Sequence, residues 1–192
     1  GGNCSARFLN SPIQDACLNQ PWVHNPAAID PDGDSLSYEP AVCLGINGEP
    51  IQGYSFPGSN YSIDPITGTI IWNAPSLAGE YNIAFVVREW RRRNGNWYEV
   101  GHVMRDMQIT VVPCNNQAPQ ISAQLDTCIE AGSQLNFNVR ASDPNALQTV
   151  ALEALGQPFV LGTSPATFVA PGPGNPVNGV FNWNTSCAHI RL

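Results

Sequence analysis

The sequence contains no lysine: its eight basic residues are all arginine, set against fifteen acidic residues for a net charge of −7. Duplex binding needs a broad cationic footprint, so a nucleic-acid partner is disfavoured. Charge is scarce altogether, at 12% of residues, and no apolar run approaches the length of a membrane span, so no direct membrane insertion is expected. The six cysteines form no Cys-x-x-Cys pair and no Cys/His spacing of a zinc site. Disulfides in an oxidising compartment are the better reading, which implies a secreted or cell-surface location. Catalytic signatures are missing too. His24, His102 and His189 stand apart from any Gly-x-Ser-x-Gly elbow, zinc helix or glycine-rich phosphate loop. His102 and Asp106 share one strand face, but a lone pair of this kind is usually structural, and no enzyme is expected.

What is present is proline and glycine, seventeen of each, in a chain that is 43% hydrophobic. Both residues break helices and punctuate β structure, so an all-β protein with many short strands is expected. Leu36 and Tyr38, Ile70 and Trp72, Tyr81 to Val87, and Met107 to Val111 alternate with polar neighbours at period two, the mark of half-buried strands. Asp30-Pro31-Asp32-Gly33, Asp64-Pro65-Ile66-Thr67-Gly68 and Asn94-Gly95 supply the turns between them. About seven strands in roughly 105 residues is sandwich spacing.

The two halves repeat one another. Asp15-Ala16-Cys17 answers Asp126-Thr127-Cys128, and the same spacing then separates Cys17 from Trp72 and Cys128 from Trp183. Leu135, Phe137, Val139 and Ala141 repeat the second-strand pattern. The organisation read from this is residues 1–7 as the end of a preceding domain or linker, a sandwich over 8–113, a proline-bracketed linker at 114–119 and a partial sandwich over 120–192. The linker is short enough to hold the domains end to end. After Trp72 the first unit runs on through two further strands, whereas few residues follow Trp183, so the second unit is expected to be truncated after its fifth strand. Its missing cover is expected from chain beyond Leu192 or from strands of another polypeptide.

The runs NSPIQDACLNQPWVHNPAAIDPDGDSLSYE, SIDPITGTIIWNAPSLAGEYNIAFVVREWR, VGHVMRDMQITVVPCNNQAP and GVFNWNTSCAHIR resemble the tandem repeats of large Bacteroidota gliding-motility-associated proteins exported by type IX secretion. The resemblance covers nearly the whole chain. It implies immunoglobulin-like or cadherin-like modules of a long secreted or cell-surface adhesin. The partners implied are neighbouring domains of the same chain or other surface-assembly subunits.

Two constellations could carry function. Asp30-Pro31-Asp32-Gly33-Asp34 places three carboxylates at alternate positions around a glycine turn, as a hard cation such as Ca²⁺ requires, and is similar to the Asp-x-Asp loop of cadherin-like domains. In a sandwich the loop lies at the end facing the preceding domain, where Glu89 adds a fourth carboxylate. The bland alternative is a turn whose aspartates cap their own backbone. The matching Ser142-Asp143-Pro144-Asn145-Ala146 keeps one carboxylate, so a second site is not expected. Trp90, Arg91, Arg92, Arg93, Trp97 and Tyr98 crowd one hairpin, where guanidinium groups beside aromatic faces suit sugar rings or an acidic extracellular polysaccharide. Cross-strand pairing within the hairpin is the plainer reading. Asp34-Ser35-Leu36 also matches a tripeptide that Bacteroidota glycosylate, a short motif overlapping the metal loop.

For the cysteines, Greek-key topology groups loops by pole and favours Cys17–Cys43 and Cys128–Cys187. Cys114 competes for Cys17, because the last strand ends at the same pole. Cys4 is set apart from Cys17 by an extended strand of roughly 25 to 40 Å.

Overall fold

The computed structural model describes residues 2–58, 60–124 and 127–190; Asp126 of the repeat and the end of the chain at Leu192 lie outside them. The chain divides into two units, Gly1–Asn115 and Asn116–Leu192.

The first unit holds β1 (Arg7–Phe8), β2 (Asp15–Cys17), β3 (Trp22–His24), β4 (Ala28–Ile29), β5 (Ser35–Ala41), β6 (Tyr61–Ile63), β7 (Ile70–Trp72), β8 (Gly79–Arg93) and β9 (Asn96–Val112). Nine strands replace the expected seven because two are broken. The first splits so that β1 pairs with β4 while β2 crosses to run parallel with β9. The second breaks between β3 and β4, where Pro26 has no N–H to give and Ala27 sits at φ 47°. The sheets run β2-β9-β8-β5 and β3-β7-β6, with β1-β4 beside them.

The period-two stripes become the core between these sheets. Ile83, Phe85 and Val87 of β8 and Ile109 of β9 are wholly buried against Trp22, Ile70 and Trp72. Burying each such side chain contributes about 1.5–3 kcal/mol. Trp72 meets Tyr81 edge-on at 4.7 Å. The β8–β9 hairpin, with strands of 15 and 17 residues, turns at Asn94 (φ 51°) and Gly95 (φ 83°). These two left-handed residues match the strand twist, which is why Asn-Gly is legible as a hairpin turn.

Residues 1–7 correct the expected boundary. Ala6 is buried in the core cluster and β1 is paired within the sandwich, so this segment belongs to the first unit. The expected Cys17–Cys43 bond is also corrected: Cys17 is bonded to Cys114, with Cα atoms 5.6 Å apart. The parallel ladder Cys17↔Val112 carries the end of β9 to Cys17. Cys43 follows β5 on the opposite edge of that four-stranded sheet, three strand spacings or about 14 Å away, beyond disulfide reach.

The second unit holds β10 (Gln120–Ser122), β11 (Gln134–Ser142), β12 (Thr167–Val169) and β13 (Val177–Asn184), in one sheet ordered β10-β11-β13-β12. Phe137 stacks on its partner Phe181 at 4.7 Å, and Phe159 covers Phe181 edge-on. The counterpart of β5 is reduced to a single bridge, Val150↔Gly174. In the first unit β5 is held by β8, and among the described residues of the second no strand corresponds to β8. A strand without a neighbour has no ladder to join, so four strands form where five were expected. Cys128 and Cys187 are exposed and unbonded, so the pairing expected for this unit is not formed. Their loops do flank the same end of the sheet, where Gln134 pairs with Asn184.

Candidate functional site

The acidic loop between β4 and β5 is built by Asp30. Its Oδ1 accepts the amides of Asp32 and Asp34, each at 2.9 Å, which closes the turn that the Asp-Pro-Asp-Gly sequence specifies. The ligand-capable atoms of Asp30, Asp32 and Asp34 then lie within 4.8 Å of one another. The second unit reproduces this turn with one carboxylate in place of three. Asp143 Oδ1 accepts the Asn145 amide, and Asn145 Oδ1 accepts the Gln117 amide. In the first unit Asp32 Oδ2 accepts the Cys4 amide in the same way. Turn formation therefore accounts for Asp30 Oδ1 and for one acceptor at position 32. It does not account for the other carboxylates.

Three features exceed the turn. Asp30 is 1% exposed, and its Oδ2 is buried with no hydrogen-bond partner. A buried, unmatched carboxylate oxygen is costly. Burial holds the Asp30 carboxyl above its usual range; the Asp34 and Asp32 amides pull it down, while the charges of Asp34 and Glu89 raise it further. Glu89 is likewise 1% exposed. It continues the core-facing stripe of β8 and accepts the Ala6 amide at 2.6 Å and Asn3 Nδ2 at 2.5 Å. Glu89 is not within the three-aspartate group, to which Asn3 and Arg91 connect it.

Room for Glu89 comes from Gly101, its partner on β9. A Cβ there would run into the Glu89 carboxylate and lie 2.9 Å from Asn3 Nδ2. Val100 is left unpaired beside it, since Glu89 pairs with Gly101 and Trp90 with Glu99. The incoming segment is thus strapped across the site by Asn3, Cys4 and Ala6. Asn3, Cys4 and Gly101 are not recognisable from sequence, because their contacts are to residues far along the chain.

Arg91 belongs to this site and not to the hairpin tip. The register Ser35↔Trp90 sets Asp34 beside Arg91. The guanidinium grips Asp34 through Nε–Oδ1 at 2.6 Å and Nη2–Oδ2 at 2.5 Å, donates to Asn3 Oδ1 at 2.9 Å and lies 3.8 Å from Asp32. These carboxylates, Asp34 first, hold its pKa above the ordinary arginine value. Arg92 and Arg93 are exposed, with no side-chain ion pair or hydrogen bond among the described residues. Trp97 and Tyr98, their neighbours across the hairpin, are 50% and 51% exposed. Register pairs Arg92 with Trp97 and Arg91 with Tyr98, while Trp90 donates to Ser37 Oγ at 2.8 Å.

Among the histidines, His24 is buried in the core with both ring nitrogens unmatched. His102 meets Glu99 at 3.3 Å on the exposed face and makes no pair with Asp106. Ser35 is exposed at the start of β5. Among the described residues no helix is long and apolar enough to cross a membrane.

No protein-family model and no curated protein matches the chain. Solved structures similar to it include an I-band fragment of titin, 9% identical over 96% of this chain with a TM-score of 0.31. Others are the human desmocollin-1 ectodomain, 12% identical over 100% with a TM-score of 0.35, and a titin domain pair in complex with telethonin, 12% identical over 97% with a TM-score of 0.33. The chain spans 57% of the titin fragment, 32% of the desmocollin ectodomain and 84% of the domain pair. At such scores the likeness carries no argument about function. The sandwich is established by the strand pairing itself.

Proposed function

We propose that this chain is a non-catalytic structural or adhesive module of a large secreted or cell-surface protein, stiffened by Ca²⁺ at the acidic loop of its first unit. The observation that carries the reading is the orphaned Asp30 Oδ2, buried in a loop with two further aspartates. Ca²⁺ takes six to eight oxygen ligands and tolerates irregular geometry, so Asp30, Asp32 and Asp34 supply its preferred donors, with Glu89 close behind them. The strap Asn3–Ala6 is bonded to Glu89 and Asp32. An ion on those carboxylates would fix the entry of the chain into the sandwich, which is how a repeat module transmits stiffness to what precedes it. Export by type IX secretion and a place in a gliding-motility-associated surface protein follow from the sequence resemblance. Neighbouring domains and surface-assembly subunits are then the partners. Calorimetric titration of the whole chain with CaCl₂ should give one site, and Asp32→Ala should remove it. Binding that survives Asp32→Ala would place the ion elsewhere.

A second reading has its own observation: Arg92 and Arg93 are exposed cations beside half-exposed Trp97 and Tyr98 in an otherwise acidic protein. That surface suits an acidic polysaccharide. Glycan-array binding lost in Trp97→Ala/Arg92→Ala would favour it, and calcium-dependent stiffness without any glycan signal would favour the first.

A further inference from the structure

The acidic loop already holds a cation, the guanidinium of Arg91. We infer that Arg91 is a resident counter-ion that a divalent cation must displace, so that this one arginine sets the metal affinity of the site. The inference rests on the calcium reading above.

Period-two alternation places Arg91 on the same stripe of β8 as Val87 and Glu89, one step beyond the buried end of the core. Of the three consecutive arginines it alone turns into the loop. It engages both oxygens of Asp34, whose side chain is 5% exposed, and its Nη2 reaches Asn3 and approaches Asp32. A planar fork matched to a buried carboxylate is a strong, directional contact. It also occupies one acceptor site on each Asp34 oxygen and sets a positive charge where a metal would approach. A guanidinium and a divalent ion on the same two oxygens repel one another and compete for the same negative charge, so each weakens the other's hold on Asp34.

The arrangement divides the carboxylates into two sets. Asp34 is satisfied by Arg91, while Asp30 Oδ2 is left without a partner. One positive charge faces four carboxylates, counting Glu89. The loop therefore keeps its shape without metal through the Asp30 turn and the Arg91 fork, yet retains an anionic excess that attracts a cation. When the ion takes Asp34, Arg91 is released toward solvent beside Arg92 and Arg93. Asn3, which bridges Arg91 and Glu89, loses one of its two partners at that moment. Metal binding is in this way coupled to the entering strap through a single side chain.

The test is calcium titration of the whole chain by calorimetry, with melting in chelator and in excess calcium, for wild type, Arg91→Gln, Arg91→Lys and Arg92→Gln. Arg91→Gln should bind Ca²⁺ about tenfold or more tightly than wild type, the equivalent of at least one lost charged hydrogen bond. Its melting should depend more steeply on calcium. Arg91→Lys, which keeps the charge but loses the fork, should fall between, and Arg92→Gln should match wild type. If wild type binds and Arg91→Gln binds no more tightly, the inference fails while the calcium reading stands. If Arg92→Gln tightens binding equally, the effect is general charge and Arg91 has no special place. If neither wild type nor Arg91→Gln binds, the calcium reading itself falls and takes the inference with it. Should Arg91→Gln be unfolded in chelator, refolding on addition of calcium supports the inference, and failure to refold overturns it.

Discussion

His24 shows how one residue ties core packing to pH. Its ring is buried beside Trp22 with no hydrogen-bond partner, and burial, aided by the positive charge of Arg105, lowers its pKa from 6.5 to about 4. Above the unfolded value both states hold a neutral ring and nothing is lost. As pH falls through the window between the two values, the unfolded chain takes up a proton that the folded chain refuses, so stability declines. The full loss is about 3 kcal/mol. Urea unfolding at about pH 7.5 and about pH 4.5 should show the wild type losing roughly 2–3 kcal/mol more than His24→Phe. Equal losses would mean that the ring is protonated in the fold. Asp30, Asp32 and Asp34 are visible in sequence as alternate carboxylates around a glycine, whereas Glu89 follows only from the pole its hairpin shares with that loop and lies outside the three-aspartate group. Arg91 was assigned to the hairpin surface because its partner lies far away in the chain and only the β5–β8 register brings the two together. The cysteines failed similarly. Pole-sharing was the right criterion, but sheet order decided between Cys43 and Cys114. Peptide mapping without reduction should find Cys17 joined to Cys114, and Cys114→Ser should cost about 4 kcal/mol by freeing a loop with a sequence separation of 97. A Cys17–Cys43 peptide would reverse that correction.

At the scale of elements, the β8–β9 hairpin joins core to site. Its inward stripe runs from Ile83 through Phe85 and Val87 to Glu89, apolar where the second sheet covers it and charged where it emerges at the loop. The place where Glu89 fits is set by the partner strand. Gly101→Ala should push the Glu89 carboxylate and Asn3 aside, destabilise the first unit by about 1–2 kcal/mol and weaken calcium binding. Unchanged stability and binding would show that the strap and Glu89 have slack. The hairpin was readable because Asn94-Gly95 is flanked by alternating residues. The breaks at Pro26 and between β1 and β2 were not, since edge strands of two or three residues leave too short a period to detect.

At the scale of the whole molecule the two units differ in how the corresponding sheet of each is covered. In the first, Trp22, Ile70 and Trp72 lie beneath β2-β9-β8-β5. In the second, Phe137, Phe181 and Trp183 are only half-buried, and no second sheet covers them among the described residues. Exposed aromatic faces and open edges favour association. Expressed alone, residues 116–192 should therefore aggregate or fail to fold, while residues 1–115, strap included, should melt cooperatively; a monomeric, cooperatively melting 116–192 would refute this. Whether the acidic loop is a cation site and not merely a turn is decided by the melting temperature of the chain with calcium and with chelator, in wild type and in Asp30→Asn. That substitution keeps an acceptor for the Asp32 and Asp34 amides and removes the buried charge. An ion at a hundredfold its Kd contributes about 2.7 kcal/mol, or roughly 10 °C for a unit of this size. Chelation should lower the wild-type transition of the first unit by about that much, and Asp30→Asn should ignore calcium and melt in chelator no lower than wild type. A wild-type transition indifferent to chelator, or an Asp30→Asn chain that still responds to calcium, would contradict it.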